Sequence, residues 1–422
     1  MPYRYLFTIL FLFSSSIAFS QQFFHIGSTE DVETEPVFGI LLAGGASDND
    51  DGMKWLAQRA NGGDVVVLRA SGSDGYNNYI YNQLGVEVNS VTSIVIIGSS
   101  QANNPDVCEA VDNAEMVFIA GGNQWHYYNE WKGTCLQEAL NRHVNEKNAP
   151  IGGTSAGLAV LGEIVYTAEN GTVTADQALA NPYHNRVTLE RDFLQVPFMQ
   201  DIVTDSHYDE RDRQGRHTVF LARMVKDWQL DAKGIGVDEY TAVGVDENGI
   251  ARVFGETAYD DNAYFLRANS MPEVCEQGEP LTWYNDQTAV MVYKIKGDPE
   301  GTITFDLNNW EEGEGGEWWA WYTENGEFYQ IPAATVSTVE SENSHNIRLY
   351  PNPASQHLWV ETLLHDPLKS YRIFDTAGRK LAHEKTANTG RIQIDLTTLH
   401  PGTYLFLMEF ENNRKLYKFV KQ

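Results

Sequence analysis

Gly152-Gly153-Thr154-Ser155-Ala156-Gly157 is the stretch on which the reading of this chain turns. A short apolar lead-in, 149–151, runs into a glycine-dense turn with one serine at its apex. A second apolar run, 158–161, is suited to start a helix. The pattern predicts a strand-turn-helix corner. Such a corner lifts a serine hydroxyl clear of a sheet and leaves backbone N–H groups facing whatever it attacks. Ser155 is therefore a candidate nucleophile. Gly-x-Ser-x-Gly arises often by chance in a glycine-rich chain, so its surroundings decide its meaning.

Outward from the turn, strand and helix signals alternate over 37–165. The runs 37–43, 65–70, 93–98 and 116–120 are short, apolar and rich in Val, Ile and Phe, as expected of parallel strands buried on both faces. Helical patterns at 53–59 and 135–144 lie between them. This βαβ rhythm predicts an α/β fold with a doubly wound, mostly parallel sheet. Ligands of such sheets sit beyond the carboxyl ends of the strands. Gly121-Gly122-Asn123-Gln124 and the serine turn both follow strands, so both fall on that edge.

A serine nucleophile needs a base. Of the 11 histidines, His207 stands out in Asp205-Ser206-His207-Tyr208, which follows the apolar pair Ile202-Val203. Arg211, Arg213 and Arg216 come directly after it. Guanidinium groups bind carboxylates bidentately, so the cluster is suited to an acidic substrate group. The competing reading is a helix start whose arginines pair with Asp209, Glu210 and Asp212. An orienting acid is offered by Asp238-Glu239 in a strand-like segment, 234–242. Neighbours on a strand point to opposite faces, so only one of the two can meet the histidine. The order Ser, His, acid differs from the Ser, acid, His order of α/β-hydrolases and points to glutaminase-like hydrolases.

The whole chain sets further bounds. Its 422 residues allow two or three domains. Arg4, the apolar run 5–13 and Ala18-Phe19-Ser20 read as a secretory signal over 1–20, too short to span a bilayer. No later run reaches spanning length, which predicts an exported protein with no integral membrane segment after signal removal. Three cysteines, Cys108, Cys135 and Cys275, match no zinc pattern. One bridge or free buried thiols are both open. The net charge of -28 argues against nucleic acid or an anionic membrane as partner. Residues 346–422 carry 11 basic against 7 acidic side chains, a net +4, leaving -32 on 1–345. That asymmetry suggests a boundary near 345. The stretch 48–52, Asp-Asn-Asp-Asp-Gly, lacks the spacing of a calcium loop and reads as a solvated turn. Tryptophans 283, 310, 318, 319 and 321 suit sheet packing better than a carbohydrate platform. A small polar stretch, 333–345, reads as a linker, and period-2 segments after it predict a small all-β sandwich.

Taken together, Gly121-Gly122-Asn123-Gln124, Gly153-Thr154-Ser155-Ala156-Gly157 and Asp205-Ser206-His207-Tyr208 with its three arginines resemble the cyanophycinases, and the wider serine peptidase family that includes aspartyl dipeptidase. The resemblance covers about 36–297. It implies Ser155 as nucleophile, His207 as general base, Glu239 as orienting acid, and the N–H groups of Gly122 and Ala156 as oxyanion hole. It also implies Gln124, Asp205, Ser206, Arg211, Arg213 and Arg216 as substrate-binding positions, with no metal and no cofactor. Where cyanophycinases usually carry glutamine, this chain has Ser206, which bears on the shape of the pocket.

Leu349-Tyr350-Pro351-Asn352-Pro353, then 371–379, 399–404 and 418–421 resemble the sorting domain of the type nine secretion system of Bacteroidetes. The expected organisation is a signal peptide (1–20), peptidase domain (21–297), β-rich extension (298–332), linker (333–345) and sorting domain (346–422). The expected activity is hydrolysis of β-aspartyl-arginine units of cyanophycin, or of related aspartyl peptides, through an acyl-serine. The alternatives are an isoaspartyl or α-aspartyl dipeptidase inactive on cyanophycin, and a non-catalytic surface binding protein. Expected partners are a peptide substrate and the type nine secretion machinery. A homodimer is compatible with the sequence, which sets no oligomeric state.

Overall fold

Side chains of the first strands alternate between two helical layers. In the strand Gly39–Ala43, Ile40 and Leu42 join Val66, Leu68, Val117 and Ile119 in one core. The helices Pro105–Asn113, Gln124–Trp131 and Cys135–Asn145 complete that core with Val107, Val111, Trp131, Leu136 and Leu140. Leu41 and Ala43 instead join Val65, Val67, Met116 and Phe118 against Met53, Leu56 and Ala57 of the helix Asp50–Gln58. Period-2 alternation with apolar residues on both faces is what a sheet covered by helices on each side requires. Each fully buried Val, Leu, Ile, Phe or Met side chain among them contributes about 1.5–3 kcal/mol. These features come from a computed structural model that describes residues 22–333, 347–362, 370–375, 380–385, 391–409 and 414–422. The expected signal peptide, the linker from 334 onward and the turn 376–379 lie outside the described residues.

The five parallel strands run in the order Val88–Val95, Gly62–Arg69, Met116–Ile119, Ile151–Thr154, Gly39–Ala43. Antiparallel strands extend this sheet at both ends. Gln22–Gly27 pairs with Val88–Val95, and Ala242–Asp246 pairs with Gly39–Ala43. Ile250–Phe254, Thr304–Asp306 and Gly313–Glu314 follow, giving ten strands.

A second sheet of six strands runs Glu327–Pro332, Glu317–Glu324, Val290–Lys296, Asn262–Ala268, Lys233–Val237, Ile202–Ser206. Only its last pair is parallel. One face, with Ile235, Val237, Phe265 and Ile295, packs with Val243, Val245 and Val253 of the first sheet. The other face packs Val203, Leu266 and Val292 against Val219, Phe220 and Leu221 of the helix Gln214–Trp228. The strands that precede His207 and Glu239 therefore belong to a different sheet from the strand that precedes Ser155. Residues 298–332, expected as an extension, supply strands to both sheets.

One local reading changes, and one left open is decided. The stretch 48–52 is not a solvated turn. Asn49 caps the helix Asp50–Gln58, its side chain accepting from the Gly52 N–H at 2.9 Å, a task for which Asn is well suited. Asp48 accepts from the Tyr76 hydroxyl at 2.6 Å, and burial raises its carboxyl above the ordinary carboxylate range. Cys108 and Cys135 form a disulfide, with Cα atoms 6.0 Å apart, and Cys275 is a buried free thiol. The tryptophans pack: Trp283, Trp310 and Trp321 are buried.

The chain divides into two compact units, Met1–Val336 and Ser337–Gln422. In the second, a three-stranded sheet (Ile347–Tyr350, His357–Thr362, Arg391–Asp395) and a four-stranded sheet (Lys380–Lys385, Ser370–Asp375, Gly402–Glu409, Arg414–Lys421) share one core. Leu358, Val360 and Ile394 of the first meet Tyr371, Ile373, Phe406 and Phe419 of the second. This is a small all-β sandwich.

Candidate active site

Ser155 sits directly beyond the strand Ile151–Thr154, with φ at 53°. A short 3-10 turn, Leu158–Val160, follows it rather than an α-helix. A non-glycine residue in the left-handed region costs about 1–2 kcal/mol, so packing must hold it there. His207 has the same strain, with φ at 48°, directly beyond the strand Ile202–Ser206. The two side chains meet: Ser155 Oγ lies 2.8 Å from His207 Nε2. On the other side of the ring, His207 Nδ1 donates to Glu239 Oε1 at 2.5 Å. The serine, histidine and acid thus form one connected row.

A three-residue segment holds all three strand ends together. The Ser155 N–H donates to the Ala43 carbonyl at 3.0 Å, and the His207 N–H to the Gly44 carbonyl at 2.8 Å. The Gly44 N–H donates to Thr241 at 2.9 Å, and the Tyr240 N–H donates to Gly45 at 3.1 Å. Ala43-Gly44-Gly45 is therefore the backbone seam on which the two sheets set their side chains. Both glycines are required by close approach. A Cβ on Gly44 would run into the Asp238 carbonyl, and one on Gly45, with φ at 107°, into the His207 ring. The sequence signal was present, a glycine pair at the carboxyl end of a strand, but it carried no role in the reading above.

The two adjacent carboxylates separate as strand geometry demands. Glu239 faces the histidine. Asp238 is buried and accepts from the Asp209 N–H at 2.9 Å and from the Asn262 N–H at 3.1 Å. Burial, with the nearby Glu210 charge, pushes its carboxyl up to about 7. Glu210 returns the favour to the other turn, accepting from the Glu239 N–H at 3.0 Å. These paired carboxylate-to-amide bonds tie the histidine turn to the acid turn. Neither was anticipated from the sequence.

The three arginines do not form one open clamp. Arg216 donates from Nε to Asp205 Oδ2 at 2.8 Å and from Nη2 to Oδ1 at 2.6 Å, and Arg213 Nη1 reaches Oδ1 at 3.1 Å. Asp205, Arg213 and Arg216 are all buried. Burial alone would raise the Asp205 carboxyl, but the Arg216 and Arg213 charges outweigh it and hold it well below the usual carboxylate range. Both arginines pair with Asp205 rather than with Asp209, Glu210 or Asp212, because Asp205 lies on a buried strand and needs cations to offset its desolvation. Arg211 is different: its side chain is 52% exposed and lies 3.6 Å from Glu239 Oε1. Ser206 is buried, and its carbonyl accepts from Arg213 at 2.6 Å.

The glycine turn 121–122 lies against the serine: a Cβ on Gly121 would stand 3.6 Å from Ser155 Cβ. The Tyr127 hydroxyl anchors this turn by donating to the Ala120 carbonyl at 2.8 Å. Gly122 is exposed, and Gln124, the first residue of its helix, donates to the Tyr166 carbonyl at 3.3 Å. On the serine side, the N–H groups flanking Ala156 are engaged, Ser155 with Ala43 and Gly157 with Thr154. Burial, aided by the Arg211 and Arg213 charges, lowers the His207 pKa below its ordinary value, against the pull of Glu239. A neutral imidazole touching a serine hydroxyl can accept its proton.

Residues 69–253 match the model of Peptidase family S51, a span that contains Gly122, Ser155, His207 and Glu239. Residues 348–422 match that of a Secretion system C-terminal sorting domain. Among curated proteins, the chain is 28% identical over 263 residues to the cyanophycinase of Synechococcus elongatus, covering 58% of this chain and 75% of that one. It is 24% identical over 267 residues to the cyanophycinase of Trichormus variabilis, covering 60% and 83%. Among solved structures, a peptidase from an acI-B1 Actinobacterium aligns with a TM-score of 0.43 at 14% identity, over 64% of this chain and 98% of that one. A putative peptidase E protein from Listeria monocytogenes aligns with a TM-score of 0.36 at 11% identity, over 52% and 100%. The chain thus carries a peptidase family S51 domain, which makes it a serine-type peptidase, and ends in a secretion system C-terminal sorting domain.

Proposed function

We propose that Ser155, His207 and Glu239 are the catalytic residues of an exported peptidase that hydrolyses aspartyl peptides. The observation that carries this is the continuous row from Ser155 Oγ through the His207 ring to Glu239. In the first step His207 Nε2 takes the Ser155 proton as Oγ bonds to the scissile carbonyl carbon. Negative charge then gathers on the carbonyl oxygen, where the N–H groups of Gly122 and Ala156 stabilise it. Loss of one such donor costs about 3–4 kcal/mol of barrier in a comparable hydrolase. The carbon–nitrogen bond breaks as His207 returns the proton to the leaving amine. Water then attacks the acyl-serine by the same route and releases the acid. Glu239 holds the Nδ1 proton and steadies the imidazolium that forms in both halves.

The substrate class follows from charge. Arg211 is the open cation beside the row and is suited to a free carboxylate of the acyl residue. Asp205, Arg213 and Arg216 act below it as a fixed support, and Gln124 borders the site. The cyanophycinase likeness favours β-aspartyl-arginine units as substrate. A dipeptidase acting on isoaspartyl or α-aspartyl dipeptides is the second reading, favoured by the small buried Ser206 in place of a glutamine. The sorting domain favours export by type nine secretion to the cell surface or beyond, after passage of the inner membrane by a signal peptide at 1–20.

The test is hydrolysis by the purified protein of insoluble cyanophycin, β-aspartyl-arginine and α-aspartyl dipeptides, with Ser155→Ala as control. Release of arginine from cyanophycin supports the first reading, and cleavage of dipeptides alone supports the second. No hydrolysis of any of them overturns both.

A further inference from the structure

Ser155 and His207 both sit in the left-handed region, a strained setting that persists only where the surroundings over-determine it. The seam Ala43-Gly44-Gly45 holds their backbones, and the residues just beyond it reach back to hold the strand ends. Two exposed residues, Ala46 and Ser47, lead from the seam to Asp48 and Asn49. Asn49 is buried, and its Nδ2 donates to the Tyr240 carbonyl at 3.3 Å, on the acid turn beside Glu239. Asp48 reaches the nucleophile turn instead. Its carboxyl accepts from the Tyr76 hydroxyl at 2.6 Å, and the Thr154 hydroxyl is a second donor to it.

Thr154 is the residue before Ser155, and it is buried. Its carbonyl accepts from the Gly157 N–H at 2.8 Å, which closes the turn around the serine. Its methyl group faces the other glycine turn: a Cβ on Gly121 would stand 3.7 Å from Thr154 Cγ2. Tyr76 lies in the short helix Gly75–Asn78, and its ring packs on Phe118, with centroids 5.2 Å apart, in the strand that leads to Gly121. One carboxyl therefore joins the seam, the nucleophile turn and a ring set by the neighbouring strand. A carboxyl is a costly choice for such a place, since burial works against it. Apolar contacts would hold the loop without direction, whereas hydrogen bonds fix distance and angle.

We propose that Asp48 is a positioning residue for the nucleophile, holding Thr154 and the seam in the register that brings Ser155 Oγ to His207. This rests on the peptidase reading above and deepens it. The full chain is assayed below the melting point of every variant, for the rate at which a fluorophosphonate labels Ser155 and for kcat and KM on an aspartyl dipeptide. Asp48→Ala and Tyr76→Phe are expected to slow labelling and lower kcat by about ten- to hundredfold, with KM changed by less than about threefold, as a displacement of a reacting group demands. Asp48→Asn keeps an acceptor for Tyr76 and is expected to recover most of the rate. A purely structural contact would lower the melting point and leave the rates of the folded enzyme as they were.

Labelling at the parent rate in Asp48→Ala and Tyr76→Phe overturns the proposal. Should Asp48→Ala fail to fold, Tyr76→Phe, which keeps the ring for Phe118, decides alone. Asp48→Asn as slow as Asp48→Ala also overturns it, by assigning the effect to charge, and so does a rise in KM at constant kcat, by assigning it to a substrate contact. If the parent itself is not labelled at Ser155 and cleaves no aspartyl peptide, the proposed function falls instead.

Discussion

Ser155 Oγ and His207 Nε2 lie 2.8 Å apart, although 52 residues separate them and their strands belong to different sheets. The contact exists because Ala43-Gly44-Gly45 bonds to both residues through its backbone. Nucleophile and base are thus aligned by a seam rather than by one rigid element.

That seam makes Gly45 a sensitive position. Gly45→Ala places a methyl group against the His207 ring, at a backbone angle that alanine rarely adopts. A displacement of about 1 Å at a reacting group costs on the order of 10²-fold in rate. We expect kcat to fall by at least that factor, with a smaller change in KM, in steady-state assays on an aspartyl dipeptide.

Glu239→Gln keeps the shape of the side chain but removes the charge that orients the imidazole. By analogy with the loss of the acid in other serine hydrolases, kcat should fall by on the order of 10⁴-fold. Asp238→Asn should fall far less, because Asp238 faces Asp209 and Asn262 instead of the histidine. Comparing kcat for the two variants checks the assignment.

The pH profile follows from His207. Burial, with help from the Arg211 and Arg213 charges, lowers its pKa below 6.5. The base is active when neutral, so the acid limb of kcat/KM should have its midpoint below about 6.5. Removing the Arg211 charge removes a repulsion on the imidazolium. Arg211→Gln should therefore move the limb to higher pH and raise KM for substrates with a free carboxylate.

Asp205 tests the support under the site. Asp205→Asn leaves Arg213 and Arg216 buried without their counter-charge, a change that costs about 3–5 kcal/mol. The Asp205 pKa is depressed in the fold, so its stabilisation is present above the unfolded carboxylate value of about 3.9 and is lost as pH falls through the lower folded value. Thermal melts should show a large loss at pH 7 in the variant, and a shallower loss of stability on acidification than in the parent.

The Cys108–Cys135 bridge closes a loop of 27 residues between two helices of the same layer. Such a crosslink contributes about 3 kcal/mol. Reduction should lower the melting temperature by several degrees and leave the kcat of the folded enzyme unchanged, since neither cysteine borders the row.

Much of this was legible in the sequence, for identifiable reasons. Doubly buried parallel strands announce themselves as short apolar runs, and Ile40 to Ala43 did so. Ser155 was marked by glycines whose packing forbids side chains, and His207 by its place after a buried strand. The two-sheet arrangement was not legible, because strands such as Asn262–Ala268 and Val290–Lys296 reveal their faces but not their partners. The pairing inside the arginine cluster was not legible, because spacing does not reveal that Asp205 meets Arg213 and Arg216, eight and eleven residues further on. Asp48-Asn49 looked solvated because composition does not reveal a cap or the Tyr76 hydroxyl that meets it. The cysteine pairing depended on helix placement, which spacing alone does not set.

The central claim, that His207 and Glu239 make Ser155 a nucleophile, is tested most directly by a serine-reactive fluorophosphonate followed by peptide mass spectrometry. The account predicts one adduct, on Ser155, in the intact protein and none in His207→Ala over the same time. An adduct on another serine, or labelling of Ser155 at an equal rate without His207, would contradict it.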